Sequence, residues 1–178
     1  MKNISLYIPK LEDYWYEEKI ESDPDTMSYN AGYDVSYYGY HYDTGCIDFP
    51  KERWQSTYDR RVNEKRYFAY IKDNDINDYV GYVNYQFSKD ENRYTCGVLV
   101  ESIHRGNGYS KPALRLLCEE AKKSGIKELY DTFEIDRGNT LDIFKAVGFE
   151  VAEYKTWKKF NKDVDGVDVK INLEGDIK

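Results

Sequence analysis

Histidine is almost missing from this chain: 178 residues contain only His41 and His104, which leaves too few for a histidine-rich metal site. Cysteine is nearly as sparse. Cys46, Cys96 and Cys118 are far apart, with no CxxC pair, which argues against both a disulfide framework and a structural zinc site. Reduced thiols in the cytosol are the simplest reading, and Cys96, with no histidine placed to activate it, reads as a buried thiol rather than a nucleophile. No apolar run approaches the length of a membrane span, and the opening MKNISLYIPKLEDYW lacks the hydrophobic stretch of a signal peptide. Positive charge is in deficit, 26 Lys and Arg against 33 Asp and Glu, and a net charge of −7 argues against a nucleic-acid surface.

What the chain has in excess is tyrosine, 19 in all, with eight between residues 14 and 42 (Tyr14, Tyr16, Tyr29, Tyr33, Tyr37, Tyr38, Tyr40 and Tyr42). An apolar ring with a polar tip suits half-buried strands as well as binding pockets. Periodicity predicts a strand over 3–8 and a helix over 11–22, where Leu11, Tyr14, Trp15 and Glu18 fall at helical spacing. SDPDTMSYN offers capping residues and a proline for a second, short helix. Residues 31–49 have no helical period and three glycines, which predicts a long loop with a brief hairpin; a helix over 50–64 follows.

Strands over 65–73, 78–88 and 93–101, joined by the polar turns NDIND and KDEN, predict an antiparallel meander. The next helix, 109–124, places Leu114, Leu117, Cys118 and Ala121 on one face and ends at Gly125, after Lys122 and Lys123. A strand over 126–135, a helix over 139–147 and strands over 149–157 and 166–173 complete an α/β chain built on a mixed sheet, with no internal repeat or linker.

The segment SIHRGNGYS, between the strand CGVLVE and the long helix, is the most informative. Glycine there lets backbone approach a ligand closely, and the helix start offers unpaired N–H groups and the positive end of its dipole, which suits a phosphate. The spacing is not that of GxxxxGK[ST], nor of GxGxxG.

The run Arg105-Gly106-Asn107-Gly108-Tyr109-Ser110 instead resembles the acetyl-CoA signature of the GNAT superfamily of N-acetyltransferases, [Q/R]-x-x-G-x-[G/A], with serine at its last position. NTLDIFKAVGFE, further along, is similar to that family's second signature, and the resemblance covers residues 66–157. It implies a mixed, mostly antiparallel sheet with splayed central strands flanked by helices. It also implies one domain: acceptor-side helices and loop in 1–64, an acetyl-CoA-binding core in 65–157, and a terminal strand in 158–178. By the resemblance, acetyl-CoA is the cosubstrate and its pyrophosphate lies on the turn amides of Arg105, Gly106, Asn107, Gly108, Tyr109 and Ser110. Its pantetheine arm would pair with Val98, Leu99 and Val100. Lys111 and Arg115, four residues apart on one helical face, would add charge for phosphate, against the simpler reading of a solvated helix face. Asn139 stands near the family's cofactor-contacting asparagine, five residues before Phe144 where the spacing is about seven.

The implied reaction is direct attack of a neutral amine on the acetyl thioester, which requires proton acceptance from the ammonium and stabilisation of the departing thiolate. Phe144 occupies the position at which many members carry a tyrosine acid. Candidate proton acceptors are Glu134, Tyr85 and Tyr94, each set against an ordinary hydrogen-bonded role. The expected acceptor is a cationic small-molecule amine, met by Trp15, the eight tyrosines and acids such as Glu17, Glu18, Asp34 and Asp43. Two alternatives stand beside it: a non-catalytic CoA-binding module, and an enzyme acting on a peptide or protein. A cytoplasmic location, a small-molecule partner and a homodimer complete the expectations, with no nucleic acid, membrane or metal.

Overall fold

The computed structural model describes residues 2–175 and 177. Seven strands form one sheet: β1 (Ile4–Tyr7), β2 (Tyr67–Asp73), β3 (Asp78–Ser88), β4 (Arg93–Val100), β5 (Glu128–Glu134), β6 (Glu150–Lys159) and β7 (Lys162–Asn172), in the order β1-β2-β3-β4-β5-β7-β6. The meander β2–β3–β4 and the hairpin β6–β7 are antiparallel, as short polar turns dictate. Only β4 and β5 run parallel, and they pair at a single position, Thr95 with Tyr130. Beyond that rung the strands diverge. Gly97 keeps regular register opposite Asn84, so the opening is not a bulge at this glycine.

Alternation along the strands feeds two layers of core. Ala69, Ile71, Val83, Cys96, Leu129, Phe133, Val167 and Val169 pack beneath α4 (Ser110–Lys123) and α5 (Thr140–Val147). The helical stripe of α4 behaves as its spacing predicts: Leu114, Leu117, Cys118 and Ala121 are fully buried. Phe68, Tyr70, Tyr82 and Leu99 face the opposite side, where Tyr16 and Ile20 of α1 (Trp15–Glu21) and Met27 of α2 (Pro24–Met27) cover them. The amino-terminal helix is broken, with a 3-10 turn over Leu11–Asp13 before α1, and α3 (Trp54–Asn63) likewise follows a 3-10 turn.

The expectation for the last strands changes. The last strands reach further than 149–157 and 166–173, because Phe160 and Asn161 both take left-handed backbone (φ 48° and 58°) and close a two-residue hairpin. The tip is held from outside: the Phe160 amide donates to the Gly32 carbonyl (2.7 Å) and its ring packs on Tyr42. The loop 31–49 is thereby fastened to the hairpin, and its own pairing is one bridge, Tyr40 with Ile47.

The β3–β4 contact is tight at Gly81, where a Cβ would lie 2.0 Å from the Leu99 carbonyl oxygen. Backbone cannot give way as a side chain can, so Gly81→Ala should lower stability by roughly 1–3 kcal/mol, read from urea unfolding. An unchanged midpoint would refute the close approach.

Candidate functional site

After β4 the chain makes one 3-10 turn, Ser102–His104, and reaches Gly106 and Gly108 with φ +78° and +80°. Such backbone favours glycine, and a Cβ at either position would meet nothing within 4 Å. The glycines therefore face open space, not protein. Pro112, in the first turn of α4, forfeits no hydrogen bond there, since the first amides of a helix lack partners anyway. Among the described residues no amide from Gly106 to Ser110 is paired with a backbone carbonyl, whereas that of Arg105 is spent on Ser102 (3.2 Å). The run of amides without a backbone partner thus begins at Gly106.

Side chains of the turn fasten it. Arg105 donates to the carbonyls of Val100 (3.2 Å), Asp25 (3.0 Å) and Thr26 (2.6 Å), tying the turn to the end of α2. Asn107 folds back on the carbonyls of His104 and Arg105. The Tyr109 hydroxyl donates to Asp73 (2.6 Å), whose carboxyl is held below its usual range chiefly by that bond. Arg105 and Asn107 therefore shape the turn with their side chains.

The turn opens into a cleft of about 720 Å³, within the range of small-molecule sites. Its walls are Val98, Leu99 and Val100 of β4, Asp131 and Glu134 of β5, Asn139, Thr140, Ile143 and Phe144 at the start of α5, and Ser28 and Tyr29 after α2. Gly106, Gly108, Tyr109, Ser110 and Lys111 form one end; Arg137 and Lys159 also reach the cavity. The cleft occupies the gap that β4 and β5 leave above the Thr95–Tyr130 rung. Among the described residues, β4 backbone that β5 does not pair, turn amides without a backbone partner and a helix amino terminus line one cleft, with the Val100 carbonyl taken by Arg105. That lining fits an extended, amide-bearing chain ending in phosphates, the shape of a CoA thioester.

Most residues singled out from the sequence meet here: Val98, Leu99, Val100, Arg105, Gly106, Gly108, Tyr109, Ser110, Lys111, Asn139 and Glu134 line the cleft. Asn107 belongs to the turn without lining it, and Arg115, a half-buried residue further along α4, is not part of the wall. Two candidates require correction. The Tyr85 hydroxyl bonds Ser124 (2.9 Å), past the carboxyl end of α4, and Tyr94 packs against Tyr85 and Phe87 at the start of β4. The turn lies at the other end of that strand, so neither tyrosine lines the cleft.

Glu134 does, but its Oε1 already accepts from the Tyr33 hydroxyl (2.5 Å) and from Lys159 (2.7 Å). The amino-terminal aromatic residues also need correction. Tyr14 and Tyr16 are core, and Trp15 packs on Tyr16 and Tyr79. Glu17 is buried in an ion pair with Arg61, while Tyr37, Tyr38 and Tyr42 are exposed on the loop. Of the eight tyrosines only Tyr29 lines the cleft, with the Arg137 guanidinium 4.1 Å from its ring centre, and Tyr33 reaches Glu134.

Asp131 and Arg137 join the cleft without belonging to either signature in the sequence. Asp131 had a readable signal: an acid at a strand position whose same-face neighbours, Leu129 and Phe133, are apolar. Burial pushes its carboxyl up to about 7, with the Thr132 amide and Arg137 opposing.

The sheet order, the single splayed parallel pair and the glycine turn define an acyl-CoA-binding α/β fold. The chain belongs to the acetyltransferase (GNAT) family, whose family model matches residues 10–149. The family's cosubstrate is acetyl-CoA. Solved structures agree in fold: an N-acetyltransferase from Staphylococcus aureus Mu50 (16% identity, TM-score 0.73, covering 96% of this chain and 99% of that one) is one example. The yncA protein of Salmonella typhimurium, solved with its cofactor acetyl-CoA, is another (16%, TM-score 0.75, 96% and 94%). A spermidine N-acetyltransferase from Vibrio cholerae, in complex with CoA and spermine, is a third (11%, TM-score 0.75, 96% of each chain). No curated protein matches significantly in sequence. Among the described residues, no helix is long and apolar enough to cross a membrane.

Proposed function

We propose that this protein transfers the acetyl group of acetyl-CoA to a primary amine of a cationic small molecule by direct attack. The observation that carries the reading is the run of unpaired amides from Gly106 to Ser110 at the mouth of the β4–β5 gap. Pyrophosphate would rest on those amides, with Lys111 beside it, and pantetheine would lie along Val98–Val100. The amine would enter from the side of Ser28, Tyr29 and Tyr33, past Glu134. The cationic character is supported by these two rings and by the acids Glu134 and Asp136 at the cavity, a narrower basis than the whole tyrosine-rich segment. Phe144, which has no proton to give, favours a second reading, a CoA-binding module without turnover.

A ligand at about 100 times its dissociation constant stabilises by roughly 2.7 kcal/mol. For this chain length acetyl-CoA should therefore raise the melting temperature by about 5–10 °C, and NADH should not. Equal shifts from both, or none, would remove the basis for the proposal. Thiol release from acetyl-CoA with a panel of amines then separates enzyme from module. Polyamines, amino sugars and lysine-like amines are the expected acceptors; preference for glutamate or aspartate would overturn the cationic assignment.

A further inference from the structure

Resting on the acetyl-transfer reading, we propose that Asp131 is the proton donor to the departing CoA thiolate, taking the part for which Phe144 lacks a hydroxyl. Three observations lead there. Asp131 lines the same cleft as Phe144, Ile143 and Val98. Strand alternation puts it on the α4–α5 side with Leu129 and Phe133, and Phe133 packs 5.0 Å from Phe144 between ring centres. Glu134 lies on the opposite side, bonded to Tyr33 and Lys159, so two carboxyl groups flank the gap from its two faces. The amine and the sulfur must likewise approach the acetyl carbon from different directions.

Asp131 is also equipped to carry a proton. Among the described residues its carboxylate accepts one hydrogen bond, from the Thr132 amide (2.8 Å), and has no cation within ion-pair distance. The charged and titratable groups around it are Arg137 after its own strand and Cys96 on β4, itself adjacent to Cys118 on α4, while Asp168 on β7 acts from the opposite face of the sheet, where it bonds Thr132 and Arg93. Burial and Asp168 favour the neutral acid; Arg137 and the Thr132 amide favour the anion, and the carboxyl titrates at about 7. A carboxylic acid of that strength matches a thiolate leaving group near neutral pH.

In the step, the amine nitrogen bonds to the acetyl carbon and the carbon–sulfur bond breaks, its electron pair going to sulfur. The Asp131 O–H proton moves to that sulfur, leaving Asp131 ionised. The ammonium sheds two protons on becoming an amide. One restores Asp131 through water and the other leaves to solvent. No redox partner or metal enters the balance.

The test begins without an acceptor. A thioester against an ionised carboxylate favours protonation of Asp131, so acetyl-CoA binding near pH 7 should draw in up to about half a proton. Calorimetric titration of the full chain in two buffers of different ionisation heat reads this number. Asp131→Asn, of nearly the same shape, should bind acetyl-CoA without proton uptake. With any amine that is turned over, Asp131→Asn should lower kcat by about 10²–10⁴-fold with little change in acetyl-CoA affinity. Adding Phe144→Tyr to that variant should restore part of the rate and move the alkaline limb of the pH profile upward, toward the tyrosine range. Proton uptake that persists in Asp131→Asn, or an unchanged kcat, overturns the assignment. Failure of the unaltered protein to bind acetyl-CoA at all sinks the acetyl-transfer reading first, and this inference with it.

Discussion

Arg61→Leu should cost about 3–5 kcal/mol of folding stability, the loss expected when one partner leaves a buried ion pair. Arg61, on α3, grips Glu17 of α1 with two hydrogen bonds (2.9 and 2.6 Å), and its guanidinium lies 3.7 Å from the centre of the Phe68 ring. Glu21 is one helical turn beyond Glu17, and its carboxyl is pushed well above 4.5, by burial first and then by the Glu17 charge, with Arg61 opposing. Removing Arg61 leaves two buried carboxyl groups on one helix face without the cation that offsets them. Because the folded-state pKa of Glu21 is raised, the stability linked to its proton is complete below about 4.5 and declines as pH rises through the folded value. The variant should therefore lose more at pH 8 than at pH 5 in guanidinium unfolding. An equal loss at both would mean that packing on Phe68, rather than charge, is what Arg61 supplies.

Gly108→Val should leave a folded protein that no longer holds acetyl-CoA. At φ +80° an L-residue is strained by roughly 1–2 kcal/mol, so the melting temperature should fall by several degrees. The larger effect is on binding. The branched Cβ would enter the open side of the turn, where the proposed function puts phosphate oxygens against amides. Each charge-assisted hydrogen bond lost there is worth about 1.5–3 kcal/mol, or roughly 10- to 150-fold in affinity. Calorimetric affinity and a thermal melt on the same sample separate the two effects. Retained affinity in a destabilised protein would make the glycine turn a folding device only.

How much of this was legible in advance depended on how local the cause was. The glycine turn and the α4 stripe were readable because spacing alone fixes them: left-handed backbone at Gly106 and Gly108, and a 3.6-residue period from Leu114 to Ala121. The hairpin tip was not, since Phe160 is a poor residue for left-handed backbone, and what holds it is the distant Gly32 carbonyl. Tyrosines 14, 16, 37, 38 and 42 share one composition signal, yet tertiary packing sends two into the core and three to the surface. Tyr85 and Tyr94 lie away from the cleft, which period two does not reveal: it gives the face of a strand and says little about which end lies at the turn. Asp131 does carry a local signal, since it interrupts an apolar face, the kind of conflict that often marks a functional position.

The divergence of β4 from β5 leaves an unpaired strand edge in the middle of a sheet. On the outside of a protein such an edge is a template for another chain and a route to aggregation. Here Arg137 stacks on Tyr29, while Lys159 joins the Tyr29 carbonyl to Glu134, and both contacts span from the amino-terminal segment to the far side of the gap. The amino-terminal segment thus covers the opening through both contacts, the way a covering loop blunts an edge elsewhere. On the proposed reading, the hydrogen-bonding groups that such an edge would offer another chain are the ones given to the pantetheine arm.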